Sequence, residues 1–330
     1  MVATEGNGQA SGPIQAGSAF DASASAAGYA MQFRYALFCA IQRLQSGDLN
    51  WQVSIEAADD VEVISQPGYR SLYQLKLRAE NTTLSDSSRD LWKTLRIWVE
   101  VYMGDAIEFQ STQFFLVSTS AAAPRGVAQN LGIGPDRDVE SACSLLDEVV
   151  TSSTSKDNSK AYAAWKALNK EAKISLLERV QIITDSPGIQ ETKKLLENSC
   201  HLSVRKAYVD SFVSRLEGWW FQRCIDILRT PGTHYIAGEE FDAEYSDLRD
   251  AFLPENLPID SDVPLLVASL RAFSDYLFMK QIELVGVGES RIMSAVRDYL
   301  RAYTQRSRWV RQSLVGAGEL QDYERRLVEE

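Results

Sequence analysis

Positive charge is scarce in this sequence, and its scarcity limits what the chain can bind. The 330 residues include 34 Lys and Arg against 45 Asp and Glu, which gives a formal net charge of −11. A protein that coats nucleic acid by bulk electrostatics needs clustered Lys and Arg to neutralise phosphates, so this composition argues against one. Any contact with DNA must therefore be local, or supplied by a partner.

Cysteine and histidine are also sparse, which argues against a zinc centre and against disulfides. The two histidines, His201 and His234, are far apart, and only Cys200 stands next to one of them. Zinc sites need grouped Cys and His, and a Ser-His or Cys-His hydrolase would need a recognisable motif around its histidine. The four cysteines show no pairing pattern and are expected to be reduced thiols: Cys39, Cys143, Cys200 and Cys224.

Long apolar runs are missing, and so is a phosphate-binding loop. No stretch approaches the roughly 18 uncharged apolar residues of a membrane span, and the first residues lack the basic start and apolar run of a secretory signal. The glycine-containing segment 286–290 has no Lys, so the chain is not itself a P-loop ATPase. We therefore expect a cytoplasmic protein that makes no membrane contact.

Length and local composition divide the sequence into four parts. A chain of 330 residues suits two domains. Residues 1–25 are mostly small or polar and are predicted to be a disordered tail. Residues 26–122 are predicted to form an α/β domain, residues 123–138 a linker rich in Gly, Pro and Ala, and residues 139–330 an all-α domain.

The predicted α/β domain follows the order helix, three strands, helix, strand. Helical spacing of apolar residues marks residues 28–47 and 87–104, each ending at a glycine. Strand character marks 51–57, 60–65, 71–78 and 111–120, and a turn sequence at 66–69 joins the second strand to the third. This order predicts a compact unit with a mixed sheet between helices.

Three polar residues of this domain form a candidate catalytic group. Gln74 and Lys76 project from the same side of their strand, because successive side chains alternate between faces. Asp60 opens the preceding strand, and a short turn can bring its carboxylate opposite that pair. Phosphodiester hydrolysis needs a metal ion with oxygen ligands and a cation that stabilises developing charge. We expect Mg²⁺, or Mn²⁺, because it binds few protein oxygens and keeps several waters.

These residues resemble the motif of PD-(D/E)xK restriction-endonuclease-like nucleases. The resemblance lies in I-E-A-A-D-D-V-E-V at 55–63 followed by Y-Q-L-K at 73–76. It implies that Asp60 is the metal-ligating Asp, Gln74 the second ligand and Lys76 the catalytic Lys, with double-stranded DNA as substrate. The sequence departs from the usual motif at Gln74, since a neutral amide holds a metal more weakly than a carboxylate does.

The match is closer to effector nucleases of bacterial anti-phage systems, of the type found in CD-NTase-associated and ABC-three-component systems. These add a helix with G-Y-x-x-Q and a Glu shortly before the Asp, which correspond in this sequence to Gly28, Tyr29, Gln32 and Glu56. The resemblance implies that Glu56 is an accessory metal ligand and that Gln32 reaches the site from the helix. It covers about residues 26–120.

Structural interpretations of the same residues remain open. Gln74 and Lys76, with Arg78 next in line, are also typical of the solvated face of a half-buried sheet. Asp60, together with Asp59, can cap a turn. Glu62 shares a face with Asp60 and competes with Gln74 as the second metal-binding group.

The helical part resembles the C-terminal module of ABC-three-component effectors over about residues 200–330. The resemblance lies in a Trp219-Trp220 pair and in D-Y-x-R-A-x-x-Q-R-S-x-W-x-R at 298–311. It implies that this region pairs with a small middle component and an ABC-type ATPase.

The adjacent aromatics 219–221 favour core burial by default, or a docking face. The basic and aromatic segment at 303–311 predicts a protein-binding face, or less readily a phosphate contact.

The sequence thus predicts a Mg²⁺-dependent DNA endonuclease that acts as an anti-phage effector and is activated through a partner complex. Two alternatives stay open: an inactive scaffold that keeps the nuclease fold, and a nuclease gated by a small nucleotide signal. A homo-oligomer is also left open. The closing segment has no helix-stop signal, which predicts a natural protein longer than Glu330.

Overall fold

The computed structural model describes residues 17–66, 68–79, 81–104, 109–230, 232, 234–253, 258–260, 262–266, 273–312, 314, 315 and 325. The chain divides into two compact units. The first contains Met1–Ala36, Trp51–Thr192 and Ile227–Tyr235, and the second contains Leu37–Asn50, Lys193–Asp226 and Ile236–Glu330. Of the predicted disordered tail, residues 1–16 lie outside the described residues, whereas the backbone is helical from Gly17 onward.

Helices and short strands make up the regular structure of the described residues. Up to the end of the first β-rich region it comprises α1 Gly17–Gln45, β1 Gln52–Ile55, β2 Val61–Gln66, β3 Tyr69–Lys76, β4 Thr83–Leu84, α2 Arg89–Met103, β5 Thr112–Ser118 and β6 Ala121–Ala122. Short helices and one strand follow, namely α3 Val127–Asn130, α4 Val139–Ser152, α5 Ser159–Lys166, α6 Lys170–Glu178 and β7 Val180–Ile183. The remainder comprises α7 Ile189–Cys200, α8 Val209–Arg229, β8 Ile236–Ala237, α9 Gly238–Asp250, α10 Leu277–Leu284 and α11 Glu289–Arg311, with 3₁₀ turns at Lys206–Tyr208 and Val263–Leu265.

Five strands of the first unit hydrogen-bond in the order β7-β5-β3-β2-β1. Strands β1, β2 and β3 are antiparallel neighbours, whereas β3, β5 and β7 run parallel. The predicted hairpin is present: Gln66 pairs with Tyr69 across a turn in which Gly68 has a φ of 98°, a conformation that glycine adopts without strain. The hairpin places the start of β2 beside the end of β3.

Helix α2 covers one face of this sheet. Its buried side chains Leu95 and Trp98 join a core that includes Leu72 of β3 and Leu116 of β5. The Trp98 ring lies 5.3 Å from Phe114 of β5, centroid to centroid. Because side chains alternate along a strand, the residues on the same face as Leu72 are those at 74 and 76.

Residues 123–138 do not form the predicted linker, because this segment packs into the core of the first unit. It contains α3, and the side chains of Val127 and Leu131 are fully buried in the same core as α2. The backbone N–H of Ile182 donates to the carbonyl of Leu131 at 2.9 Å. Glycine and proline in this segment mark turns correctly, but the apolar residues between them acquire a burial site only in the tertiary structure.

A segment expected to be helical is instead a strand. Val180–Ile183 forms β7, which pairs in parallel with β5, and its side chains alternate between buried and half-buried. This segment therefore departs from the prediction of an all-α region after residue 139. The first unit continues to Thr192, so the two units do not divide at the predicted boundary. A four-residue strand beside a helix is too short for periodicity to resolve.

The second unit has an aromatic core. Phe212 and Trp220 of α8 pack edge-on against Tyr245 and Phe241 of α9, at centroid distances of 5.2 and 5.6 Å. Trp220 is fully buried, as core burial of the aromatic run predicts, whereas Phe221 is exposed. No helix in the described residues is long and apolar enough to cross a membrane.

Candidate active site

Asp60 is fixed to the strand that carries Gln74 and Lys76. It directly precedes β2, whose first residue Val61 pairs with Tyr73 of β3. Its Oδ2 accepts a hydrogen bond of 2.7 Å from the backbone N–H of Leu75. The hairpin therefore brings the Asp60 carboxylate to the stretch of β3 between the other two predicted catalytic residues.

Gln74 and Lys76 lie on the sheet face that α2 covers. In β5 their pairing partners are Leu116 and Ser118, both buried. Gln74 itself is only 5% exposed, and Lys76 is half-buried. The alternative that these two residues simply form a solvated strand face is therefore wrong for Gln74.

Burial and nearby carboxylates act on the Lys76 ammonium in opposite directions. Burial lowers the pKa of Lys76, and the charges of Asp60 and Asp90 oppose that shift by favouring the ammonium form. Lys93 of α2 adds to the lowering. Asp90 is held by Arg78, whose Nε and Nη2 donate to its two carboxylate oxygens at 2.6 and 2.5 Å. Lys76 thus lies within electrostatic reach of Asp60, as the predicted site requires.

Asp59 anchors the loop before β2 to helix α2. Its Oδ2 accepts from the indole Nε1–H of Trp98 at 3.2 Å, and its Oδ1 accepts from the backbone N–H of Asp60 at 3.0 Å. Burial raises the pKa of Asp59 to about 6, and the neighbouring charge of Asp60 acts in the same direction. Asp59 therefore orients Asp60, a role that its position in a turn-forming sequence did not reveal.

The predicted accessory residues Gln32 and Glu56 meet each other. Gln32 Nε2 of α1 donates to Glu56 Oε1 at 3.0 Å. Glu56 has a φ of 56°, and its backbone N–H donates to the carbonyl of Asp60 at 3.2 Å. Hydrogen bonds therefore join Gln32 to Glu56, Glu56 to Asp60, and Asp60 to the strand of Gln74 and Lys76.

Gly28 and Tyr29, the first two residues of the predicted helix motif, are not part of the hydrogen-bond network described above. Tyr29 is about half exposed, and an added Cβ at Gly28 would meet nothing within 4 Å. The structure provides no close packing at Gly28 that would require a glycine there.

Glu62, the alternative second metal-binding group, is paired with Arg70. Its side chain is 1% exposed, and its Oε1 accepts from Arg70 Nε at 2.6 Å. A buried carboxylate needs such a partner to offset the loss of hydration. The sequence could not reveal this pairing, because it depends on the register between β2 and β3.

The donor atoms at the site are oxygens, as a hard cation prefers. Among the described residues there is no group of three or more His, Cys, Asp or Glu that suits a metal. Magnesium, however, is commonly held by one or two carboxylates plus waters, and Asp60 and Glu56 are the carboxylates joined to this end of the hairpin by hydrogen bonds. Gln32 Oε1 is buried and has no hydrogen-bond partner in the described part of the chain, so an acceptor remains unsatisfied at this point. The residues therefore fit a hydrated Mg²⁺.

The C-terminal part of the chain matches a known family. Residues 278–330 match the model of C-terminal domain 7 of the ABC-three component (ABC-3C) systems. The match includes most of α10 and the whole of α11. It supports the predicted link with ABC-three-component systems for this region and does not extend to the first unit. A comparison with curated proteins gives no match.

Solved structures with some likeness to the chain are receptors. The Cap4 SAVED/CARF-domain containing receptor of Moraxella osloensis is 16% identical, with a TM-score of 0.41 over 70% of this chain and 54% of that one. The Acinetobacter baumannii Cap4 receptor with the cyclic trinucleotide 3'3'3'-cAAA is 14% identical, with a TM-score of 0.37 over 68% and 48%. The chain thus spans about half the length of these structures. TM-scores of this size do not establish a common fold.

Proposed function

We propose that this chain is a metal-dependent DNA endonuclease with a restriction-endonuclease-like first unit. In this proposal it is an effector of anti-phage defence that works with ABC-three-component partners. The observation that carries the proposal is the hydrogen bond from Leu75 to Asp60, which holds a carboxylate beside Gln74 and Lys76. Metal-dependent phosphodiester hydrolysis uses oxygen ligands for the ion and a cation that stabilises developing charge, and these three side chains offer both.

Asp60 and Gln74 would hold Mg²⁺ or Mn²⁺, with Glu56 as an accessory ligand. When bound, the ion polarises the phosphate and lowers the pKa of a water. The neutral Gln74 is compatible with a weakly held ion that keeps several waters. Gln32 orients Glu56 through its 3.0 Å hydrogen bond.

Lys76 would position the attacking water and stabilise negative charge on the phosphate. Its half-buried environment strengthens that interaction, because charges attract more strongly away from bulk water. The charges of Asp60 and Asp90 oppose the lowering of the Lys76 pKa that burial causes. Asp59 and Trp98 hold the Asp60 loop against α2, so the carboxylate is oriented before substrate arrives.

The C-terminal region would bind the partner components. The family match at residues 278–330 supports this role, and the notable exposed apolar residues of that region include Leu284 and Val285. The partners implied are a small middle component and an ABC-type ATPase. An effector with a net charge of −11 would bind DNA weakly until the complex recruits it.

Plasmid cleavage by the purified full-length chain, alone and with its partners, tests the proposal. We expect nicking or linearisation with Mg²⁺ or Mn²⁺ and none with EDTA. Lys76→Ala and Asp60→Asn should abolish or weaken the reaction while the protein stays folded. Metal-independent cleavage would overturn the proposed metal mechanism. The absence of any cleavage with the partners present would instead favour the non-catalytic scaffold.

A further inference from the structure

A cluster of basic side chains lies on helices α2 and α5 of the first unit. Arg89, Lys93 and Arg96 follow each other at spacings of four and three residues, which places them on one face of α2. Lys160 joins them from the first turn of α5. These four residues, which we call the α2–α5 basic surface, line a cavity of about 230 Å³ together with Asp157, Asn158 and Ala161.

Most of the positive charge on this surface is not neutralised by the protein. Arg96 Nη1 lies 2.9 Å from Glu100 Oε1. Within the described residues, Arg89, Lys93 and Lys160 take part in no salt bridge, and all three are exposed. The cavity lining holds four cations and one carboxylate, in a chain whose net charge is −11. An anionic ligand would relieve the mutual repulsion of these cations.

The two helices that carry the surface are packed firmly against each other. The Trp92 ring of α2 meets Tyr162 of α5 edge-on at a centroid distance of 4.6 Å, and Trp165 lies 6.3 Å away. Asn158, which is buried, donates from Nδ2 to the carbonyl of Ser87 at 3.0 Å. The two helices that carry the cations are therefore held in place by the core before any ligand binds, so binding needs no rearrangement of the backbone.

The surface adjoins the candidate active site. Lys93 lies about one turn after Asp90 on α2. The preceding turn of α2 carries Asp90, which is bonded to Arg78 just beyond the end of β3. A ligand that covers Lys93 would therefore extend toward Lys76.

We propose that the α2–α5 basic surface binds the phosphodiester backbone of duplex DNA beside the candidate active site. This inference rests on the proposed function, because it assigns the substrate contact of that site. Arg89 and Arg96 are separated by about 10 Å along the helix at 1.5 Å per residue. A single phosphate cannot contact cations spread over that length, whereas duplex DNA carries a charge for about every 3.4 Å of its axis on each strand, so the surface matches an extended polyanion better.

Binding of a fluorescently labelled DNA duplex to the full-length chain in EDTA tests this inference without cleavage. The informative variant is Lys93→Ala/Lys160→Ala. The matched control is Lys166→Ala/Lys170→Ala, which removes the same charge from exposed lysines of the same unit that do not line the cavity. Anisotropy titrations at several NaCl concentrations give the affinity and its salt dependence for each protein. Thermal unfolding checks that both variants remain folded.

We expect the Lys93→Ala/Lys160→Ala variant to bind at least roughly tenfold more weakly at low salt. Its plot of log K against log [NaCl] should be shallower by about 2, since each lost phosphate contact removes roughly 0.9 from the slope. The control should bind like the wild type. If the two variants bind DNA alike, or if the wild type binds no DNA duplex at low salt, the inference is wrong. Binding of RNA duplexes in place of DNA would overturn the assignment of DNA as the ligand.

A parallel cleavage assay separates this inference from the proposed function. Salt-dependent binding through Lys93 and Lys160 without any metal-dependent cleavage would leave the DNA-binding surface standing and overturn the nuclease proposal. Cleavage that is lost in Lys76→Ala but unaffected in Lys93→Ala/Lys160→Ala would support the nuclease proposal and overturn the DNA-binding role of the α2–α5 basic surface.

Discussion

The backbone N–H of Leu75 donates a 2.7 Å hydrogen bond to the Asp60 carboxylate, at the residue between Gln74 and Lys76. This bond makes Asp60 a part of the hairpin architecture as well as a candidate metal ligand. A substitution that removes the whole carboxylate therefore mixes two effects, and the choice of variant decides what an experiment measures.

Asp60→Asn should separate the structural role of Asp60 from its role in metal binding. The amide oxygen can still accept from Leu75, so we expect a change in the free energy of unfolding of less than about 1 kcal/mol. The lost negative charge should weaken metal binding, so that half-maximal cleavage needs more Mg²⁺ or Mn²⁺ than in the wild type. Asp60→Ala should show both defects. An unchanged metal requirement in Asp60→Asn would remove Asp60 from the ligand set.

Lys76→Ala should reduce metal-dependent plasmid cleavage by roughly 10²–10³-fold, as loss of one charge-stabilising group typically does. Binding to the partner components should be unaffected. Lys166→Ala, which removes an exposed lysine of the same unit, serves as the control and should cleave normally. Wild-type cleavage rates in Lys76→Ala would exclude the mechanism proposed for this residue.

Gln74→Glu tests whether residue 74 is a metal ligand. The side chain is 5% exposed, so a carboxylate there should lower the melting temperature in EDTA. Mg²⁺ or Mn²⁺ should raise it again, and more than in the wild type, while cleavage is retained or increased. Gln74→Leu, which has no ligand atom at residue 74, is the control and should respond to the ion less than the wild type does. A melting temperature of Gln74→Glu that is insensitive to metal would show that residue 74 is not a ligand.

Arg70→Ala should destabilise the protein without changing the Mg²⁺ concentration that cleavage requires. Glu62 would be left buried without its partner at 2.6 Å, which typically costs about 3 kcal/mol. The companion variant Glu62→Gln should restore part of that loss in the Arg70→Ala background, because it removes the unpaired charge. Chemical denaturation measures both. If Glu62→Gln alone instead raised the Mg²⁺ needed for cleavage, Glu62 would be a ligand after all.

Leu284→Asp should weaken association with the partner components. Leu284 is 88% exposed and lies in the region matched to the ABC-3C domain, so a charge there would oppose an apolar contact without disturbing the core. Leu202→Asp, at a leucine that is 87% exposed and lies outside that region, is the control. Co-purification with the middle component and the ATPase measures the effect. If Leu284→Asp and Leu202→Asp recover equal amounts of the partners, Leu284 does not lie in the contact with the partner components.

The hairpin and the shared face of Gln74 and Lys76 followed from the sequence alone. A turn sequence at 66–69 and the two-residue repeat of a strand are local properties of the backbone, so they could be read without any tertiary contact. The resemblance to a family motif implied Glu56 as an accessory ligand and Gln32 as a residue that reaches the site, and the structure adds a hydrogen bond between the two side chains. That Asp60, Gln74 and Lys76 act on DNA stays a prediction.

Other features depended on contacts between distant parts of the chain. Asp59 acquired its role from Trp98, Glu62 was neutralised through strand register, and Val180–Ile183 became a strand because β5 offered a free edge. The α2–α5 basic surface is likewise a product of packing, since Trp92 and Asn158 bring its two helices side by side. Local periodicity determined which residues share a face of one element, whereas only the tertiary structure decided which faces meet, because burial and charge pairing act between elements rather than within them.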